Sequence, residues 1–519
     1  MKKNGLTRRD FLKKSGALGV GVSAGLGLSG FGLGKIPMAY GAEPKGTLTI
    51  SQGVDVESMD PHITRSTMGR SVLKTVFDSL LDLDSQLKEY SELAVSWKNE
   101  DPNTWVFNLR EGVRFHNGEK FDASTVKYSI ERINDPKLKS FYAQFMGVVK
   151  EVEVVNPYRV KIITKQPYAP MVEVMRDIDM VPKTAETMGA AEFAKKPIGT
   201  GPYRFGEWVP NERVVVTANE EYYLGAPRLR RVVWKPIPEL STRIVELNTG
   251  GTDIITGLSA LDMGRLKKDV CHAEGILSVY AIWYLLNCFN EVLADKRVRQ
   301  ALNYAVNKDE IIKVLLQGEA APLSGCLTPY HEGYNPQLKP YPYDPDRAKK
   351  LLSEAGYGKG FNLSMKYVRG RWTKSEEVSM AVAGYLGEVG IKVKVEAEEY
   401  GQHLQSLFSR GKAGDLLDFS SSALSTFRMY PPLFPSNKPG VAWHGWKNPR
   451  FDQLFDQAMV EMDSAKRGAL LRETATILHD DAPCLFLHQQ KDIFGVNNRV
   501  KGWIARPDAH VTIEKTYVE

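Results

Sequence analysis

Arg369, Arg371 and Trp372 lie within four residues, Arg369-Gly370-Arg371-Trp372, between an alternating apolar run and an amphipathic one. That context is a loop leading from a strand into a helix, where side chains project from the strand end. Two guanidiniums and an indole there have the chemistry of an anion grip. An arginine fork donates paired hydrogen bonds to both oxygens of a carboxylate, which lysine cannot reproduce. A second loop, residues 420–432, holds Phe427, Arg428 and Tyr430 and no acid. It offers one more cation between aromatic rings. Trp443, Tyr284 and Asn287 complete the candidates, because an enclosed solute needs aromatic walls and a few fixed polar groups. Each has a plainer alternative, an exposed arginine loop or a core aromatic.

Groups that make or break covalent bonds are harder to find. Cys271, Cys288, Cys326 and Cys484 form no C-x-x-C pair, which disfavours a zinc ribbon, an iron–sulfur cluster or a redox dithiol. In an oxidising compartment they allow three full disulfide pairings, or buried thiols, and both possibilities stay open. Residues 43–519 contain neither H-E-x-x-H nor Gly-x-Ser-x-Gly. The stretch Pro197-Ile198-Gly199-Thr200-Gly201-Pro202 must turn sharply, yet it is no phosphate cradle: Pro202 lacks an N–H, and Tyr203, Phe205 and Trp208 predict a strand where a helix would be needed. His116 reads as a turn residue, and His403 and His444 are the histidines nearest the ligand loops. The expectation is a binding protein without catalytic residues, cofactor or metal.

The elements that must position these loops follow from periodicity. Strands are expected at residues 47–53, 104–110, 213–218 and 231–235, with a hairpin at 151–155 and 159–164. Asp122 caps a helix, and another runs from Pro238 through Leu247. In the helix at 295–305, Val298, Ala301, Leu302 and Ala305 share one face, and its charges are expected to face solvent. Residues 344–356 and the stretch around Phe451, Leu454, Phe455 and Ala458 read as further amphipathic helices. Strand 361–367, helix 375–389 and strand 391–396 make a β-α-β unit, hence a parallel pair with a covering helix. The chain is α/β and too long for one core.

Gly199-Thr200-Gly201-Pro202-Tyr203 running into a strand, then Asn219-Glu220-Glu221-Tyr222-Tyr223 and Gly225-Ala226-Pro227, resembles the dipeptide/oligopeptide family (family 5) of extracytoplasmic solute-binding proteins of ABC importers. Phe107-Asn108-Leu109-Arg110, Phe115-His116-Asn117-Gly118, Arg297-Val298-Arg299-Gln300-Ala301 and Arg499-Val500-Lys501-Gly502-Trp503 extend the match along nearly the whole chain after residue 42. The resemblance implies a periplasmic binding protein-like fold of the cluster C (class II) type: two lobes joined by hinge strands, with an additional inserted domain. Its boundaries would be 43–76, 197–281 and 489–519 for the first lobe, 77–196 for the insertion and 282–488 for the second lobe. It also implies that Asp60-Pro61 lies beside the cleft. Arg369 or Arg371 with Trp372 would hold a ligand carboxylate. Peptide-binding relatives often carry an aspartate after the strand near 416–419 for the ligand amine. Here Arg428 stands in an acid-free loop, which favours an anionic or amine-masked, peptide-like solute such as a glutathione-like one. The alternatives are a nickel chelate, an opine or an oligosaccharide on the same fold, or a periplasmic enzyme. The partners implied are the solute and ABC permease subunits, with the receptor a monomer.

Residues 1–42 read as an export signal. Arg8-Arg9-Asp10-Phe11-Leu12-Lys13 resembles a twin-arginine motif, 16–34 is weakly hydrophobic, and the small residues at 39–42 suit cleavage after Gly41. The expected location is therefore the periplasm, by the twin-arginine route, with no membrane anchor after cleavage. This segment carries seven of the 68 basic residues and one of the 62 acids, so the whole formal charge of +6 lies in it. The remaining chain is balanced, which removes the electrostatic case for nucleic acid.

Overall fold

The computed structural model describes residues 43–519 except Gly370, Arg371, Ala413 and Ser422. The signal assigned to 1–42 and the ligand role assigned to Arg371 lie outside the described residues.

Strand β1, Thr47–Gln52, buries Leu48 and Ile50 completely. A separate antiparallel sheet follows, built from β2 (Ala94–Asp101), β3 (Thr104–Leu109), β4 (Val149–Asn156) and β5 (Arg159–Thr164) in the order β2-β3-β5-β4. Helix α1, Ala123–Asn134, covers it with Val126, Ile130 and Ile133, one apolar stripe. Asp122 starts this helix by accepting from the Ser124 and Thr125 amides, while the Thr125 hydroxyl answers back to Asp122 N–H. Helix α2, Met171–Arg176, closes the same core.

Two passes of the chain run side by side before β6 begins, which explains the glycine-rich turn. Gly201 N–H donates to Val76 O and Tyr203 N–H to Thr75 O, both at 2.9 Å. A Cβ on Gly199 would sit 1.9 Å from that same Val76 oxygen, so only glycine admits the two passes side by side. His116 is indeed a turn residue: its N–H donates to Gly199 O and its Nε2 to Gly201 O, both at 2.9 Å.

The main sheet has eleven strands. After β1 it takes β6 (Tyr203–Val209), β7 (Arg213–Ala218), β8 (Arg231–Pro236), β9 (Ile254–Leu258), β10 (Cys271–Leu286), β11 (Phe361–Val368), β12 (Ile391–Glu398), β13 (Leu416–Ser421) and β14 (Cys484–Asn497). The order is β12-β11-β13-β10-β14-β9-β1-β8-β7-β6, with Ala320–Pro322 pairing on β14. One core packs around β1, β7 and β8, and two more cover the faces of β10 to β13. The long strands β10 and β14 run through both halves. Their register breaks between Leu277 and Ala281 and again between Ile282 and Trp283, where the sheet passes from one half to the other.

Helices α3 (Leu240–Thr249), α4 (Lys296–Ala305), α5 (Pro345–Glu354), α6 (Ser375–Glu388), α7 (Thr426–Met429), α8 (Pro449–Val460) and α9 (Ser464–Asp481) cover the sheet. The β11-α6-β12 unit has the expected parallel pairing, Phe361 opposite Ile391 through Val368 opposite Glu398. One expectation fails on α4. Arg299 is buried, and its guanidinium donates to the carbonyls of Leu293, Ala294 and Asp481 at 2.8–3.0 Å. Backbone acceptors at helix ends take the guanidinium's hydrogen bonds, while Asp295 and Asp481 lie near enough to feel its charge. Among the described residues no helix is long and apolar enough to cross a membrane.

Candidate functional site

Strands β11, β12 and β13 run in one direction, so Val368, Glu398 and Ser421 end at the same edge of the sheet. Ala281, next to the register break in β10, lies opposite Ser421 at that edge. Loops at the carboxyl ends of parallel strands are where an α/β sheet exposes its variable side chains. Both candidate loops leave from here.

The first loop is fixed at its base by buried charge. Asp418 accepts from Val368 N–H at 3.0 Å, and Arg369 N–H donates to Glu398 O at 3.1 Å. Glu398 itself accepts from Lys366 Nζ at 2.6 Å and from Ser406 Oγ at 2.7 Å. Burial raises the Glu398 carboxyl, but these hydrogen bonds outweigh it and leave the group below the ordinary carboxylate range. Arg369 is exposed at the tip, and the Trp372 ring lies 6.0 Å from that of Tyr280 on β10. Arg369 and Trp372 share the loop, and Trp372 is partly buried against the core that covers β10 to β12, beside Tyr280.

The second loop carries α7. Residues three apart share a helical face, so Phe427 and Tyr430 turn inward together while Arg428 turns out. Phe427 packs on Phe455, and the fully buried Tyr430 packs against Phe434, Phe451 and Phe455. Neither is a wall residue; both belong to the core. Arg428 reaches instead toward the four-stranded body, where it pairs with Asp177 and lies 4.9 Å from the Phe145 ring centre.

The structure does not bring the other three candidates to this edge. Tyr284 is buried, its hydroxyl 2.5 Å from Ser379 Oγ, because β10 is covered on both faces and has no open side. Asn287 follows the far end of β10, where Leu286 pairs with Leu416, and its amide donates to Gly411 O and Gly414 O at 2.7 and 3.1 Å. Trp443 lies at that far end too, edge-on to Phe289 at 5.3 Å, with its indole N–H on Trp446 O at 2.8 Å. These are loop-pinning roles.

His403 and His444 are both buried and held by the chain itself. His403 bridges Glu398 and the Asp418 carbonyl at 3.1 and 2.8 Å, and His444 Nδ1 donates to Ala442 O at 2.7 Å. Among the described residues no group of three or more His, Cys, Asp or Glu is placed to hold a metal. All four cysteines are thiols, with Cys326 Sγ and Cys484 Sγ in buried contact at 3.9 Å.

Sequence reading missed Asp177 and Phe145, and it named His403 without the Glu398 and Asp418 that hold it. Asp177 lies 251 residues from Arg428, and no local pattern could have joined them.

Comparison with known proteins bears on the fold and the family. The family model described as bacterial extracellular solute-binding proteins, family 5 Middle, matches residues 88–434. The glutathione-binding protein GsiB of Pectobacterium atrosepticum is 28% identical over 478 residues, 90% of this chain and 93% of that one. Among solved structures, the periplasmic binding protein DppA of Helicobacter pylori in complex with the peptide STSA is 26% identical, with a TM-score of 0.75 over 91% of this chain and 98% of its own. NikZ of Campylobacter jejuni in complex with Ni(L-His) is 27% identical, with a TM-score of 0.75 over 89% and 96%.

Proposed function

The chain belongs to the bacterial extracellular solute-binding proteins, family 5, and from that premise we propose that it captures a small, carboxylate-bearing, peptide-like solute for an ABC permease. Receptors of this family are non-enzymatic and extracytoplasmic, and their relatives here are named for glutathione and for peptides. The observation that carries the ligand chemistry is Arg428: the cation of the second loop turns out of the core toward the opposite body, while its loop holds no acid. Arg369 and Trp372 on the neighbouring loop supply a second cation and a wall. An anionic or amine-masked solute fits this set, glutathione-like compounds among them.

The proposal has an architectural half. The lobes would swing about β10 and β14, with hinges at 281/282 and 488/489; the broken register there supports this reading. Residues 77–196 would be the inserted domain and 1–42 a twin-arginine signal, the latter supported by Arg8-Arg9 and the weakly apolar run behind them.

A thermal-shift screen of the protein without residues 1–42 tests the ligand class, since a solute that binds only the folded state raises Tm. Glutathione or an amine-blocked dipeptide should shift it, and Arg428→Ala should remove the shift. An equal response to free-amine dipeptides sinks the amine-masked reading. A response to Ni(L-His) alone would favour the chelate alternative.

A further inference from the structure

Arg428 already has a carboxylate on it, and that carboxylate comes from another part of the molecule. Asp177 stands at the end of α2 in the four-stranded body, whereas Arg428 stands on α7 above the β10 to β13 half of the main sheet. Close by, Ala169 N–H donates to Met459 O at 2.9 Å, and Met459 and Met462 seat against the core of the four-stranded body. The pair is a charged element of a contact between two bodies that sequence keeps far apart, and Glu332 of the Arg428 half also lies within electrostatic reach of Glu173 and Arg176 across it.

Three features make it displaceable. Only one guanidinium nitrogen, Nη1, engages Asp177, so the two-pronged geometry that strengthens arginine–carboxylate pairs is not used. The side chains keep 25% and 36% of their exposure, and ion pairs that accessible are weak and screened by salt. The guanidinium also rests on the Phe145 ring of the same body, so a cation–π contact shares the hold on Arg428 and the anion is not its sole partner.

We propose that Asp177 is a specificity-determining residue that acts as an internal competitor: its carboxylate occupies the Arg428 guanidinium and clasps the two bodies until a solute carboxylate displaces it. The competitor role rests on reading Arg428 as the solute anchor; the clasp does not. A solute with a single weak anionic group gains little by exchanging one carboxylate for another. A solute that adds further contacts, for example to Arg369, wins the exchange. Asp177 thereby sets a threshold against simple acids.

The test uses the protein without residues 1–42, with spin labels on exposed sites of the four-stranded body and of α9. Distance distributions are recorded without solute, in low salt and in 0.5 M salt. Asp177→Asn is near-isosteric at a half-exposed site, so the variant keeps its fold. In low salt it should shift toward the longer distances that the wild type shows in high salt. The charge-reversed double variant, Arg428→Asp with Asp177→Arg, should restore the short ones. Calorimetry with glutathione should then show Asp177→Asn binding about fivefold tighter than wild type, the scale of an exposed pair.

Unchanged distances in Asp177→Asn overturn the clasp. Unchanged or weaker glutathione binding, with the wild type still losing it on Arg428→Ala, overturns the competitor role while the anchor reading stands. If no carboxylate solute binds either protein, the anchor reading fails together with the competitor role, and the distances alone then decide the clasp.

Discussion

The four-stranded body is joined to its neighbours in two ways. Toward the half of the main sheet that holds β1, the joint is buried and two-pronged. Arg70 grips both oxygens of Asp179 at 2.5 and 3.2 Å, and Arg132 grips both oxygens of Asp60 at 2.5 and 3.0 Å. Side-chain exposure is 6% and 1% for the first pair and 8% and 0% for the second. His62 completes the set: its Nδ1 accepts from Arg132 at 2.9 Å and its Nε2 donates to Asp179 O at 2.9 Å. Toward the β10 to β13 half, the joint combines the one-pronged, partly exposed Arg428–Asp177 pair, the Ala169 N–H to Met459 O bond and a short apolar seat. Both joints use arginine and aspartate. Burial and geometry separate them: a desolvated, fully satisfied network is expensive to break, and an exposed pair is not. The four-stranded body should therefore travel with the β1 half and part from the other.

That contrast can be broken by experiment. The largest effect is expected at the buried joint, where Arg70→Ala leaves Asp179 desolvated without its fork. We expect a loss of roughly 3–5 kcal/mol in urea denaturation. A loss under about 1 kcal/mol would mean that the joint is not what holds the bodies together.

The next effect is a pH dependence. Burial first, and then the Arg132 guanidinium, push His62 down to about 4 from the ordinary 6.5. The unfolded chain therefore takes up this proton before the folded one does. Stability from His62 is fully present above pH 6.5 and is lost as pH falls toward 4, by roughly 3 kcal/mol in all. His116, His331 and His488 are lowered to about 4 in the same direction by burial. Denaturant titrations at pH 7.5, 5.5 and 4.5 should steepen on the acid side, and His62→Gln should remove its own share of the slope.

The smallest stability effect belongs to the other joint. Arg428→Ala should change unfolding free energy by no more than about 1 kcal/mol. If it costs as much as Arg70→Ala, the two joints are equivalent and the comparison falls.

Sequence reasoning reached the features that are local. The glycines at 199 and 201 announced a tight passage, Asp122 a helix start, and the apolar spacing around 361–398 a parallel unit. It erred where one residue type serves two environments. Phe427, Tyr430 and Tyr284 fit a ligand wall as well as a core, and only packing could assign them to the core. Arg299 looked solvated because its acceptors are carbonyls, which no side-chain pattern displays. The displaced candidates Asn287 and Trp443 failed on strand direction: they lie beyond the wrong end of β10. The joints were illegible for a further reason, since their arginine–aspartate pairs join residues 72 to 251 positions apart.

The path of the main sheet also dictates the order in which this chain acquires structure. Strand β9 lies between β1, near the start of the chain, and β14, near its end. The core around Leu48 and Ile50 is completed by Phe494, Val496, Trp503, Val511 and Ile513. Strand β1 thus waits for segments made much later before its interior can close. Such long-range pairing slows folding and keeps apolar surface open meanwhile. Trimming the final two dozen residues would accordingly unravel the beginning of the chain and leave the packing of α8 against α9 as the more durable remnant.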